Sequence, residues 1–177
     1  MAKKRYLGPK EYIGYMSKLC EKVKKTGYNP DVVLAIMNGG YYPAKFISDA
    51  LNIPMLKIGI KSYNGQQKGN TVVYSDIDGD IRKYNKILVV DDLAETGKTI
   101  KETLRILENK MKEKEYEVKT ATIFLKPQSE IKNIINVEVT NEWIVFPYEV
   151  FPSLFGPLFN FYFNWTERKA IEKINKQ

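Results

Sequence analysis

The chain has 177 residues, with 28 Lys+Arg against 21 Asp+Glu, one cysteine and no histidine. That length fits one domain, 1–177, with room for a sizeable core. The missing histidines exclude a Ser-His-Asp triad, a Cys-His pair, an imidazole base and His-ligated zinc, and Cys20 alone can form neither a cysteine zinc site nor an internal disulfide, which suits a reducing, cytoplasmic setting. Catalysis would have to run on carboxylates, lysines, hydroxyls, backbone amides or a hard cation held by oxygen.

The first element is a helix over 9–26, with Tyr12, Tyr15, Met16, Leu19 and Val23 on one face and Gly27 ending it. Residues 1–30 carry +6 of the net +7, while 31–100 are neutral and 101–177 carry +1. We read this excess as a solvated helix face behind a loose basic start, so neither nucleic acid nor a membrane is expected as a partner. No apolar stretch follows the basic start, and no window is long and apolar enough for a membrane span.

Val32–Met37 is a continuous apolar run, the pattern of a strand buried on both faces. Asn38-Gly39-Gly40 makes a turn, 43–51 a helix and 55–60 a second strand. The polar stretch that follows is too long for an idle connection, so residues 61–85 are expected to form a flexible loop, with a short strand near 71–74. Lys86–Val90 is the clearest strand, and 98–114 reads as a helix with a stripe at Ile100, Leu104, Leu107 and Met111. Strands at 117–125 and 143–146 and a helix at 166–175 complete an α/β pattern with a mostly parallel sheet. Phe151–Trp165 holds seven aromatic residues interrupted by Pro152 and Pro157, and reads as core or subunit interface.

The most informative stretch is Ile87–Thr99, ILVVDDLAETGKT. An apolar strand runs into Asp91 and Asp92, Glu95 follows, and Thr96-Gly97-Lys98-Thr99 opens a helix. Such a helix start offers unpaired backbone N–H groups and the positive end of a dipole to a phosphate. Gly97 permits close approach, and the hydroxyls of Thr96 and Thr99 can donate. Two aspartates would repel phosphate and instead suit a diol, a divalent cation, or both. Gly97-Lys98-Thr99 matches the end of a P-loop, but a P-loop needs glycine where Asp92 stands, which excludes it.

This stretch resembles the 5-phosphoribosyl-1-pyrophosphate (PRPP) motif of the type I phosphoribosyltransferases, and residues 31–150 follow that family's segment order. AIMNGGYYPA at 35–44 is similar to its pyrophosphate loop, Ser62-Tyr63 to the start of its flexible loop, and TIFLKP at 122–127 and WIVFPYE at 143–149 to the base-binding segments of the hypoxanthine/xanthine–guanine branch. The resemblance implies an α/β fold with a mostly parallel sheet flanked by helices and a flexible loop over the site. It implies purine salvage: Mg²⁺-dependent transfer of phosphoribose from PRPP to N9 of a 6-oxopurine by a homodimer or larger homo-oligomer.

By the same resemblance, Asp91 and Asp92 hold the ribose hydroxyls and Mg²⁺, and Glu95 handles the purine proton. Ala94 to Thr99, including Lys98, bind the 5′-phosphate, and Asn38, Gly39 and Gly40 bind pyrophosphate. The family's loop can hold a non-proline cis peptide, for which Met37–Asn38 is the candidate. Lys126 donates to the 6-oxo group, Trp143 flanks the base, Ile144 backbone groups read position 2, and Glu149 joins Asp91 and Asp92 in holding metal. Without the resemblance, Lys126 reads as a surface lysine before a proline and Trp143 as a core tryptophan. Asn38 stands where bacterial relatives often carry a basic residue, which shifts pyrophosphate contact to the Gly39 and Gly40 amides. Glu95 is one methylene longer than the usual aspartate. The alternative reading is a PRPP- or nucleotide-responsive regulator of the same fold that binds nucleic acid.

Overall fold

The computed structural model of the chain describes residues 3–62, 71–150, 168–172 and 174–175. Tyr63 of the expected flexible loop and the aromatic segment Phe151–Trp165 lie outside them. The elements in order are β1 (Lys4–Tyr6), α1 (Pro9–Lys25), β2 (Val32–Met37), α2 (Tyr41–Leu51), β3 (Met55–Ser62), β4 (Thr71–Ser75), a 3₁₀ turn (Ile81–Lys83), β5 (Lys86–Ala94), α3 (Lys98–Lys110), β6 (Glu117–Leu125), β7 (Ile135–Val139), β8 (Trp143–Val145) and α4 (Pro147–Val150). Residues 168–172 and 174–175 are helical.

Six strands form one sheet in the order β4-β3-β2-β5-β6-β7, parallel except for the antiparallel edge strand β4. The apolar run of β2 sorts strictly by side. Val33 and Ala35 join Leu88, Val90, Ala121 and Ile123 under α1 and α2. Val32, Leu34 and Ile36 join Ile87 and Val89 under Ile100 and Leu107 of α3. Two cores on opposite faces of one sheet are why these strands carry no polar alternation.

Pro9 opens α1 at a position where its missing N–H costs nothing, and Gly27 at φ +69° follows its end. The helix expected over 98–114 stops at Lys110. Buried Met111 caps it outside helical geometry, and the Lys114 ammonium turns back to donate to the carbonyls of Arg82 and Tyr84.

Several expectations are corrected. The start of the chain is not loose: β1 pairs in parallel with β8, Lys4 opposite Trp143 and Tyr6 opposite Val145, as a separate two-stranded sheet. The ends of the 61–85 stretch belong to regular structure. Ser62 ends β3, β4 pairs with it, and Ile81 is buried in the α3-side core behind the Asp80 side chain, which accepts from the Arg82 N–H. Strand β7 is not among the expected strands: its five residues only alternate apolar and polar at the sheet edge, with Ile135 and Val137 packed against the α1-side core. Finally, β5 does not end at Val90 but continues through both aspartates to Ala94, still paired with β6.

That extension positions the site. Strand β2 leaves β5 after the Ala35–Val90 pair and turns at Asn38-Gly39-Gly40 into α2, while β5 continues and leads into α3 on the other face. A parallel sheet opens a crevice where neighbouring strands send their helices to opposite sides, and Asp91 and Asp92 lie at that split.

Candidate active site

Gly40 makes the split narrow: a Cβ there would lie 2.3 Å from the Val90 carbonyl oxygen and 2.7 Å from that of Ile36. At Gly39 a Cβ would lie 2.4 Å from both carboxylate oxygens of Asp92, so only glycine lets the turn press on that side chain. The Met37–Asn38 peptide is cis, as the resemblance implies. Asn38 is exposed, and its Oδ1 accepts a long 3.5 Å bond from the Tyr74 hydroxyl. The expectation that both glycine amides face a ligand needs correction. The Gly40 N–H closes the turn on the Ile36 carbonyl at 2.9 Å, which leaves Gly39 as the candidate donor.

A cavity of about 300 Å³ opens over the carboxyl end of β5. Asp91, Asp92, Leu93, Ala94, Glu95, Thr96, Gly97, Thr99 and Ile100 line one side, and Lys126, Trp143, Ile144, Phe146 and Glu149 line the other. The proposed PRPP-motif and base-binding residues therefore meet across one space. Lys98 is exposed and outside this lining, and the Asn38 turn is also outside it.

Asp91 and Asp92 are only 9% and 8% exposed. Asp91 Oδ1 accepts the Asp92 backbone N–H at 2.9 Å. Burial, then repulsion from Asp92, raises the proton affinity of Asp91 well above that of an ordinary carboxyl. Burial also raises Asp92, and the hydrogen bond donated by the Tyr148 hydroxyl works against the rise. Neither aspartate takes part in an ion pair among the described residues.

This donor set fits Mg²⁺: two hard carboxylates without a protein counter-charge, at the wall of an open cavity. Among the described residues no cluster of three or more His, Cys, Asp or Glu side chains encloses a metal position. Glu149 is on the cavity wall, but its Oε2 accepts the Phe146 N–H at 2.8 Å and so secures the start of α4. The structure thus brings Asp91 and Asp92 together and gives Glu149 a structural bond of its own.

The loop after β5 is built for close approach. Gly97 sits at φ +83°, and a Cβ there would lie 2.4 Å from Ile131. The loop is tied down by the Glu130 N–H on the Thr96 carbonyl at 3.1 Å and the Lys126 N–H on the Ala94 carbonyl at 3.0 Å. Thr96 Oγ1 accepts weakly from the Lys98 N–H at 3.4 Å and keeps its own proton to donate. The start of α3 borders the cavity through Gly97, Thr99 and Ile100, where the first turn of a helix presents its amides to an anion.

Lys126 is not a surface lysine but 6% exposed, and its ammonium donates to the Glu142 carbonyl. An ammonium has three donors, so two remain for a ligand. Trp143 is not in a core: it is 54% exposed at the cavity rim, above buried Ile144. The sequence reading missed Tyr148. Its one signal was Phe146-Pro147-Tyr148-Glu149, a proline and then an acid at the start of a short helix.

Paired acids, a phosphate-type loop and a cross-cavity lysine at the split of a parallel sheet define the ligand site of a type I phosphoribosyltransferase fold. Comparison with known proteins agrees. Residues 6–152 match the phosphoribosyl transferase domain family. A xanthine-guanine phosphoribosyltransferase of Chromohalobacter salexigens is 30% identical over 129 residues, 71% of this chain and 73% of that protein. One from Ruegeria sp. is 33% identical over 138 residues, 70% and 74% of the two chains. The crystal structure of a purine phosphoribosyltransferase from Pyrococcus horikoshii superposes with a TM-score of 0.71 at 31% identity, covering 82% of this chain and 94% of that one. The chain belongs to the phosphoribosyltransferase family.

Proposed function

We propose that this protein is a purine-salvage enzyme that transfers 5-phosphoribose from PRPP to N9 of a 6-oxopurine. The observation that carries the reading is the single cavity in which Asp91, Asp92 and the 95–99 loop face Lys126 and Trp143. The amides and hydroxyls of the loop bind the 5′-phosphate, and the acid pair binds the ribose hydroxyls. Asp91 and Asp92 would hold Mg²⁺, which supplies positive charge against the departing pyrophosphate. The bond from C1′ to the pyrophosphate oxygen breaks and the N9–C1′ bond forms, with positive charge passing through the ribose.

Glu95, half-buried on the cavity wall, takes part in removing the proton that the purine loses. Lys126 donates to the 6-oxo group. Adenine presents a donor there and would leave the buried ammonium facing another N–H, so it is rejected. We extend the reading to one domain over 1–177 that works as a homo-oligomer.

The test is a PRPP-dependent assay with hypoxanthine, guanine, xanthine, adenine, orotate and uracil in parallel. Turnover of one or more 6-oxopurines in preference to adenine and the pyrimidines is expected. Absence of turnover with all 6-oxopurines at saturating PRPP and Mg²⁺ would refute the assignment.

A further inference from the structure

We propose that Tyr148 is a positioning residue for Asp92, clasping the acid pair from the base-binding side of the cavity. Its hydroxyl donates to Asp92 Oδ2 across 56 residues of sequence. The Asp92 carboxylate is thus confined by the phenol on one oxygen, by the Gly39 backbone, too close for any Cβ, against both, and by a hydrogen bond from the Leu93 backbone. Tyr148 is itself held in an aromatic stack. Its ring lies 5.3 Å from Phe146 at 8° and 5.5 Å from Tyr42 at 24°, with Tyr12 tilted against it at 6.1 Å. Glu149 fixes the turn that presents it by accepting the Phe146 N–H.

The aromatic stack sets where the hydroxyl points, and the hydroxyl sets where the carboxylate points. Phe146 is the residue after β8 and lines the cavity, so the clasp joins the strand that faces the base to the acids that face the sugar. Asp92 needs such a clasp. It is buried and adjacent to a second carboxylate, and the Leu93 backbone that also bonds it lies on its own strand, so without the phenol nothing holds it toward the base side of the cavity. The proposal rests on the reading above for what Asp92 does, but not for what holds it.

The test is Tyr148→Phe, which keeps the ring and removes only the donor. In crystals of the unliganded variant the Asp92 side chain is expected to leave the position it holds in unliganded wild-type crystals. In steady-state kinetics kcat/KM for PRPP is expected to fall about ten-fold or more, the loss of a hydrogen bond to a charged group. The KM for the base should change by less than roughly two-fold, and the melting temperature should fall by only a few degrees, the cost of one lost hydrogen bond with the aromatic stack intact. An Asp92 side chain that stays in place, or wild-type kinetics, overturns the proposal. So does a uniform loss of thermal stability with all constants shifting together. If the wild type turns over no base, the transferase reading fails by itself, and the crystallographic position of Asp92 still decides the role of Tyr148.

Discussion

At the scale of single residues, the site is one of carboxylates, hydroxyls, backbone amides and one buried lysine that must act without imidazole. Glu95, on the cavity wall, is the acid we propose to handle the purine proton. Glu95→Gln keeps its size and hydrogen-bonding shape but removes its basicity. A loss in kcat of roughly 10²- to 10⁴-fold is expected, measured by steady-state turnover with base and PRPP both saturating. Asp92→Asn should also reduce turnover severely, through ribose and cation contacts rather than proton transfer. Cys20 gives a contrasting prediction. It is fully buried in α1, and burial pushes its thiol up to about 11. The reactive thiolate is therefore scarce at neutral pH. A maleimide or disulfide reagent should leave the native protein unmodified and label it only after denaturation, as read by mass spectrometry.

At the scale of elements, the least legible part of the chain is the one that braces the base-binding strand. The apolar runs of β2, β5 and β6 announce themselves because both of their faces are buried. The DDLAETGKT loop announces itself by chemistry. Strand β1 does neither: three residues, Lys-Arg-Tyr, gain their structure only by pairing with residues about 140 positions away. Its central Arg5 donates to Glu138 at 2.8 Å, to Glu11 at 2.8 Å and to the Tyr15 hydroxyl, which itself donates to Glu138. Hydrogen bonding to Glu11 leads the causes that hold the guanidinium even more firmly protonated than usual. Tyr148 is hidden for the same reason as β1, since a contact made across the fold leaves no local pattern. Arg5→Ala is expected to cost about 1–2 kcal/mol after allowance for solvent screening of this partly exposed network. A urea melt would measure that loss. The same variant should raise the KM for the base several-fold and leave that for PRPP near wild type, since β8 and not β5 loses its brace.

At the scale of the whole molecule, the acid pair is a liability that the fold carries for function. Asp91 binds a proton more tightly in the folded protein than in the unfolded chain. Its charged form therefore opposes folding at any pH above the ordinary carboxylate range, and this opposition grows as pH rises through that window. Asp91→Asn removes the charge and keeps an acceptor for the Asp92 N–H. At neutral pH and without Mg²⁺ the variant should melt about 2–4 °C higher than wild type, the shift expected for roughly 1 kcal/mol in a protein of this size. It should also be nearly inactive. A lower melting temperature would mean that some other interaction supports the Asp91 charge. The fold class was readable from the alternation of strands and helices. The depth of the aspartates was not, because nothing in their sequence says that β5 outlasts β2.

The division into two sheets has a consequence for how such a protein can change. The residues proposed to face the sugar and phosphates stand on the six-stranded sheet, whose spacing at the site is fixed by two glycines that tolerate no side chain. The residues that would meet the base stand largely on β8, in a small sheet of its own whose partner is the start of the chain. Selection for a new base can therefore vary exposed Trp143 together with its partner Lys4, whereas Ile144 and Phe146 are held in the core and Phe146 supports Tyr148 against Asp92. On the proposed reading base recognition is divided, with Lys126 after β6 on the large sheet and Trp143 on the small one, and only the exposed rim of the small sheet is free to change without disturbing the acids.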